Sequence, residues 1–99
     1  MGVERNMNHE ELKDKLLTYF KNSILYNESI DEIDGDESLI DSGYIDSTGI
    51  IGLVAFMEKT FGIRVYDNEI IPENFDSLNS IYAYICSKVE KVNSVGMGR

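Results

Sequence analysis

Apolar residues recur along this chain in three helical stripes, separated by stretches rich in acids, serine and glycine. In the first stripe Leu12, Leu16, Tyr19, Phe20 and Ile24 follow one another at i, i+4, i+7, i+8 and i+12, a band wide enough to face a core. Asn8 or His9 begins this helix, and Glu10 and Glu11 sit in the turn where the helix dipole favours negative charge. The second stripe, Ile50, Val54, Met57 and Phe61, lies along one side of a helix that starts at or beside Ser47. Gly62 suits the left-handed residue that ends such an element, which gives it a length of about 22 Å. Leu78, Ile81, Ile85 and Val89 form the third stripe, with Asp76 or Ser77 as its cap.

The segments between the stripes carry no periodicity of their own. From Asn27 to Gly43 acids, serine and glycine surround the isolated Ile30, Ile33, Leu39 and Ile40, predicting a long loop pinned to the helices by its apolar residues. Ile63-Arg64-Val65-Tyr66 alternates as a strand does, but nothing nearby offers a partner, so it is expected to be extended linker. Asp67 to Ile71 has room for one helical turn, and Pro72 limits its extension. The pattern predicts an all-α fold, a small four-helix bundle of three main helices and one short one. Its expected extent is 8–92, between a flexible N-terminal arm at 1–7 and a flexible C-terminal tail at 93–99.

Ninety-nine residues suit one domain, and a hydrophobic fraction of 42% is enough for a core. Nine basic against eighteen acidic residues leave a net charge of −9, which repels nucleic-acid phosphates and anionic membrane and favours protein partners with basic patches. One cysteine forms no internal disulfide, and no apolar run reaches membrane-spanning length. The expectation is a soluble, cytoplasmic monomer with no signal peptide, nucleic-acid partner or membrane insertion.

The chemistry concentrates at the mouth of the central helix. Gly43 lets the chain swing out, Asp46 places a carboxylate at the positive end of the helix, and Ser47 presents a hydroxyl. Two uses of Ser47 are open on these grounds: a helix cap, or a hydroxyl that takes a phosphate-linked group at the helix N-terminus. A hydrolase elbow needs glycine two before and two after the serine; Gly49 fits, but Ile45 does not. The single histidine, His9, leaves almost nothing from which to build a serine triad. Setting Gly35 at the glycine of a calcium loop puts Ile30, Glu32 and Asp34 at the first ligand positions, so the first ligand is missing. No metal site is expected. Cys86 is expected to be a small packed residue rather than a reactive thiol. Gly49, Gly52 and Ala55 thin one side of the central helix, and at least one of Ile51 and Phe56 is expected at the surface.

Leu39-Ile40-Asp41-Ser42-Gly43-Tyr44-Ile45-Asp46-Ser47-Thr48 resembles the prosthetic-group attachment segment of acyl carrier proteins. The likeness continues through Phe61-Gly62-Ile63-Arg64-Val65 and Phe75-Asp76-Ser77-Leu78-Asn79-Ser80-Ile81 and covers roughly residues 10–92. The spacing from Gly43 to Gly49 is similar to that of D-alanyl and other free-standing carriers that work with adenylating ligases. This resemblance implies an acyl-carrier-like bundle with no catalysis of its own and 4'-phosphopantetheine on Ser47. A phosphopantetheinyl transferase would attach the group from coenzyme A. An acyl or aminoacyl thioester would then be loaded by a ligase and passed to acyl-transfer enzymes. Without the resemblance, the same features suit an unmodified acidic helical adaptor for a basic protein partner.

Overall fold

The computed structural model describes residues 8–25 and 30–97. Four α-helices run in the order α1 (His9–Tyr19), α2 (Ser47–Phe61), α3 (Pro72–Phe75) and α4 (Leu78–Met97), with no strand among the described residues. The architecture is the small all-α bundle that the stripes predict. Residues 1–7, the expected N-terminal arm, lie outside the described residues. The final helix runs past residue 92, where the bundle was expected to end.

Asn8 caps α1 reciprocally. Its side chain accepts from the Glu11 amide at 2.8 Å, and the Glu11 carboxylate accepts from the Asn8 amide at 3.1 Å. The chain then widens into a π-helical turn over Phe20–Ile24, closed by the Leu25 amide on the Phe20 carbonyl at 2.7 Å. An i to i+5 bond brings residues five apart towards the same side, so Leu25 is buried beside Phe20.

Helix α2 starts and stops where the sequence predicts. Asp46, in extended backbone, caps it, and Gly62 ends it at a φ of 68°. Its inward face is turned by about 50° at 100° per residue from the expected stripe. Leu53 and Met57 are fully buried, whereas Ile50, Val54 and Phe61 are only half-buried. The small residues explain the rotation. A Cβ at Gly49 would stand 2.8 Å from Ile45 Cγ1, and one at Gly52 would stand 3.2 Å from the Tyr19 hydroxyl. Gly49 and Gly52 therefore let the loop and α1 close on α2, while Ala55 stays exposed. Tyr19 stacks on Phe56 with ring centroids 4.2 Å apart, which half-buries Phe56 and leaves Ile51 as the exposed apolar residue.

The connections supply much of the core. Leu25, Ile33, Leu39, Ile45, Ile63 and Val65 join Leu12, Leu16 and Phe20 of α1, Leu53 and Met57 of α2, Phe75 of α3, and Ile81 and Ile85 of α4. Ile33 and Leu39 pin the long loop as expected; Ile40 does not, being exposed. Ile63 and Val65 point inward while Arg64 and Tyr66 point out, so the alternation belongs to extended linker laid across the core. Glu58, half-buried on α2, accepts from the Val65 amide at 2.9 Å and ties that linker down. A 3-10 turn over Asp67–Glu69 supplies the expected single turn. Pro72 then opens α3 as its first residue, where a missing amide donor costs nothing. Ser77, not Asp76, caps α4, its Oγ accepting from the Ser80 amide at 3.0 Å.

Candidate functional site

At the mouth of α2 the cap, which the side-chain oxygens of Asp46 and Ser47 could each supply, falls to Asp46. Asp46 Oδ1 accepts from the Gly49 amide at 2.9 Å and is the cap. Ser47 is the first helical residue, and its hydroxyl is exposed with no hydrogen-bond partner among the described residues. The amides of Ser47 and Thr48, the first two of the helix, likewise have no carbonyl to reach within it, so they and the dipole face outward. A hydroxyl in this position can be esterified by phosphate without removing a cap, and the resulting anion meets open N–H groups.

The approach to Ser47 is built from the loop. Gly43 adopts a φ of 81°, a left-handed conformation that turns the chain before α2. Ile45, buried, anchors the chain immediately before the cap. Ser42 Oγ donates to Glu37 Oε2 at 2.7 Å, which occupies the other serine of the segment.

An aliphatic groove of about 310 Å³ begins at Ser47 and is walled by Ile50, Ile51, Val54 and Ile70. Ile51 stands one turn beyond Ser47 and is 70% exposed. The far wall is fixed by an ionic clasp. Glu69, beside Ile70, accepts from Lys88 Nζ at 2.9 and 3.2 Å and from the Tyr84 hydroxyl at 2.8 Å. The Lys88 ammonium also lies 5.0 Å from the centre of the Tyr66 ring. The hydrogen bond from Lys88, with those from the Tyr66 amide and Tyr84, lowers the Glu69 carboxyl to about 2. Burial, and then the neighbouring Glu69, pushes the Tyr84 hydroxyl up.

The remaining chemistry-bearing residues have other employment. His9 pairs with Glu90 at 3.5 Å and meets the edge of Tyr82, both on α4. Cys86 is half-buried, and burial raises its thiol above the ordinary range. Asp36 accepts from Asn79 Nδ2 at 2.9 Å, and Asp34 accepts from the Asp36 amide at 2.8 Å. Among the described residues no three His, Cys, Asp or Glu side chains are grouped to hold a metal ion, and no helix is long and apolar enough to cross a membrane.

A family model described as "Phosphopantetheine attachment site" matches residues 22–85, more than half of the chain. The chain belongs to that family. Phosphopantetheine-attachment domains bear covalently bound 4'-phosphopantetheine and are non-catalytic carriers, so the protein is a phosphopantetheine-carrying carrier rather than an enzyme. This family acts with phosphopantetheinyl transferases and acyl-handling enzymes. None of the curated proteins matches the chain. Among solved structures, a chain described as "Crystal structure of FAD-dependent dehydrogenase" is similar, with 28% identity and a TM-score of 0.58 over 70% of this chain and 97% of that one.

Two features of the carrier's site escape the sequence pattern. The pattern does not separate Ile70 from the turn around it, and its place opposite α2 depends on Glu69 meeting Lys88, nineteen positions away. The pattern offers Asp76 as a cap candidate for the last helix; its bonds to Ser38 and Ile40 join residues with no sequence relation to it.

Proposed function

We propose that Ser47 is the residue that receives 4'-phosphopantetheine, and that the protein carries an acyl or aminoacyl group as a thioester on it. The observation that carries this reading is the exposed Ser47 hydroxyl, without a hydrogen-bond partner among the described residues, beside a cap supplied by Asp46. When bound, the group supplies a thiol on a long arm. The chain's own residues hold the arm's anchor at a rigid helix end and raise the cargo's effective concentration at partner active sites. The aliphatic groove beside Ser47 favours cargo with an uncharged, apolar body, because Ile50, Ile51, Val54 and Ile70 offer dispersion and burial but no partner for a charge. Partners are a phosphopantetheinyl transferase, a loading ligase and downstream acyl-transfer enzymes, met by a monomeric domain in the cytoplasm.

The likeness to the chain described as FAD-dependent dehydrogenase supports one specific downstream step. In it, a flavoenzyme removes two hydrogens from the tethered acyl group, one as hydride to its FAD and one as a proton to a base of the flavoenzyme, and a double bond forms between the two atoms that lose them. Incubation with coenzyme A and a phosphopantetheinyl transferase tests the assignment. The parent chain gains one group, and Ser47→Ala, with an unchanged circular dichroism spectrum, gains none. A labelled Ser47→Ala chain overturns it.

A further inference from the structure

Seven consecutive backbone amides, from Leu39 to Ile45, all donate hydrogen bonds, and the series begins on Asp76. The Leu39 amide donates to the Asp76 carbonyl at 2.7 Å, and the Ile40 amide donates to Asp76 Oδ1 at 3.0 Å. Ser38 Oγ donates to the same carboxylate, at 2.8 Å to Oδ2 and 2.9 Å to Oδ1, and accepts the Asp41 amide at 3.0 Å. The Ser42 amide reaches the Ser38 carbonyl at 3.0 Å, the Gly43 amide reaches that of Ile40 at 3.1 Å, and those of Tyr44 and Ile45 converge on Leu39 at 2.9 and 3.3 Å. The series stops at Ile45, immediately before the cap Asp46 and the serine it exposes.

Asp76 is itself held firmly. Its amide closes α3 on the Pro72 carbonyl at 3.0 Å, and Ser77, the next residue, caps α4. A second tie runs alongside: the Asn79 amide donates to the Gly35 carbonyl at 2.9 Å, and a side chain on Gly35 would collide with Asn79 at 2.7 Å. One carboxylate at the α3–α4 junction thus collects the Ser38 hydroxyl and the Ile40 amide, and through Ser38 it holds the amide of Asp41.

We propose that Asp76 is a positioning residue for the modification of Ser47, by clamping the turn that delivers α2's first residue to the transferase; this rests on the attachment reading above. Loss of the carboxylate leaves the Ser38 hydroxyl and the Ile40 amide without acceptors and lets the turn open locally, while Leu39 and the helices stay packed. A transferase docking on the opened turn must order it first, so the effect falls on KM for the carrier rather than on kcat.

The test uses the full chain, coenzyme A and a phosphopantetheinyl transferase, with the carrier as the varied substrate. Asp76→Ala is expected to raise KM about tenfold with kcat within about twofold, and Asp76→Asn, which keeps one acceptor oxygen, to recover at least half of the loss. Hydrogen exchange at the Ile40 and Asp41 amides should quicken about tenfold in Asp76→Ala, with Ile81 and Ile85 of α4 unchanged. Parent constants in Asp76→Ala overturn the clamp. So does exchange that quickens equally at Ile85, which would make Asp76 a general stabiliser. A parent chain that takes no label overturns the attachment reading and the clamp together, whereas a labelled parent with an unaffected Asp76→Ala overturns the clamp alone.

Discussion

Leu53→Ala should damage the fold more than Phe61→Ala, although phenylalanine is the larger residue and closes the expected stripe. Leu53 is 0% exposed, and Phe61 lies at the margin of the core, edge-on to Phe56 with centroids 5.6 Å apart. Truncating a fully buried leucine costs the transfer of its methyl groups plus the cavity left behind, about 3 kcal/mol. Phe61→Ala forfeits a ring pair of about 1 kcal/mol and partial burial of one ring, about 2 kcal/mol in all, below the cost of a fully buried phenylalanine. For a domain of this size 1 kcal/mol moves Tm by about 4–8 °C, so Leu53→Ala should lower Tm by about 12–24 °C and Phe61→Ala by about 8–16 °C. Thermal unfolding followed by far-ultraviolet circular dichroism, with a urea titration of each variant, reads the difference. A Phe61→Ala chain less stable than Leu53→Ala would refute the rotation of α2 and restore the stripe as its buried face.

Acid should unlock the Glu69 clasp. The folded carboxyl lies near 2, below its ordinary 4.5, so its stabilisation is complete above pH of about 4.5 and is lost as pH falls towards about 2. After discounting for solvent screening the loss is about 1 kcal/mol, seen as a steeper decline of urea stability from pH 5 to 3 in the parent than in Glu69→Gln; equal declines would remove the clasp as a source of stability. Ser77→Ala should cost about 1 kcal/mol by uncapping α4, against almost nothing for Ser42→Ala, whose exposed hydroxyl bonds Glu37 at the surface; similar urea midpoints for the two would contradict the cap assignment.

The start and stop of α2 were legible in the sequence because Asp46 and Gly62 act through their own backbone neighbourhood. The short turn at Asp67–Glu69 and the extended linker before it were legible for the same reason. What was hidden depends on contacts between distant segments. The direction α2 faces is set by how closely Ile45 and Tyr19 approach Gly49 and Gly52, and no period within the helix encodes that. Glu58 is drawn back to the Val65 amide, a pairing with extended linker beyond the helix that no helical spacing announces. Pro72 marked an interruption correctly, but whether it ends one turn or begins the next helix depends on where Phe75 finds the core. Within the site, Ser47 was legible as a helix-mouth hydroxyl; the choice between cap and free hydroxyl needed the geometry of Asp46.

Site localisation of the attached group tests the central claim most directly. After reaction with coenzyme A and a phosphopantetheinyl transferase, the chain is digested and the peptide spanning Asp41 to Lys59 is fragmented in a mass spectrometer. One phosphopantetheinyl group on Ser47, with Ser42 and Thr48 unmodified, is the predicted result. A group on Ser42 or Thr48, or a peptide that never gains one, would contradict it.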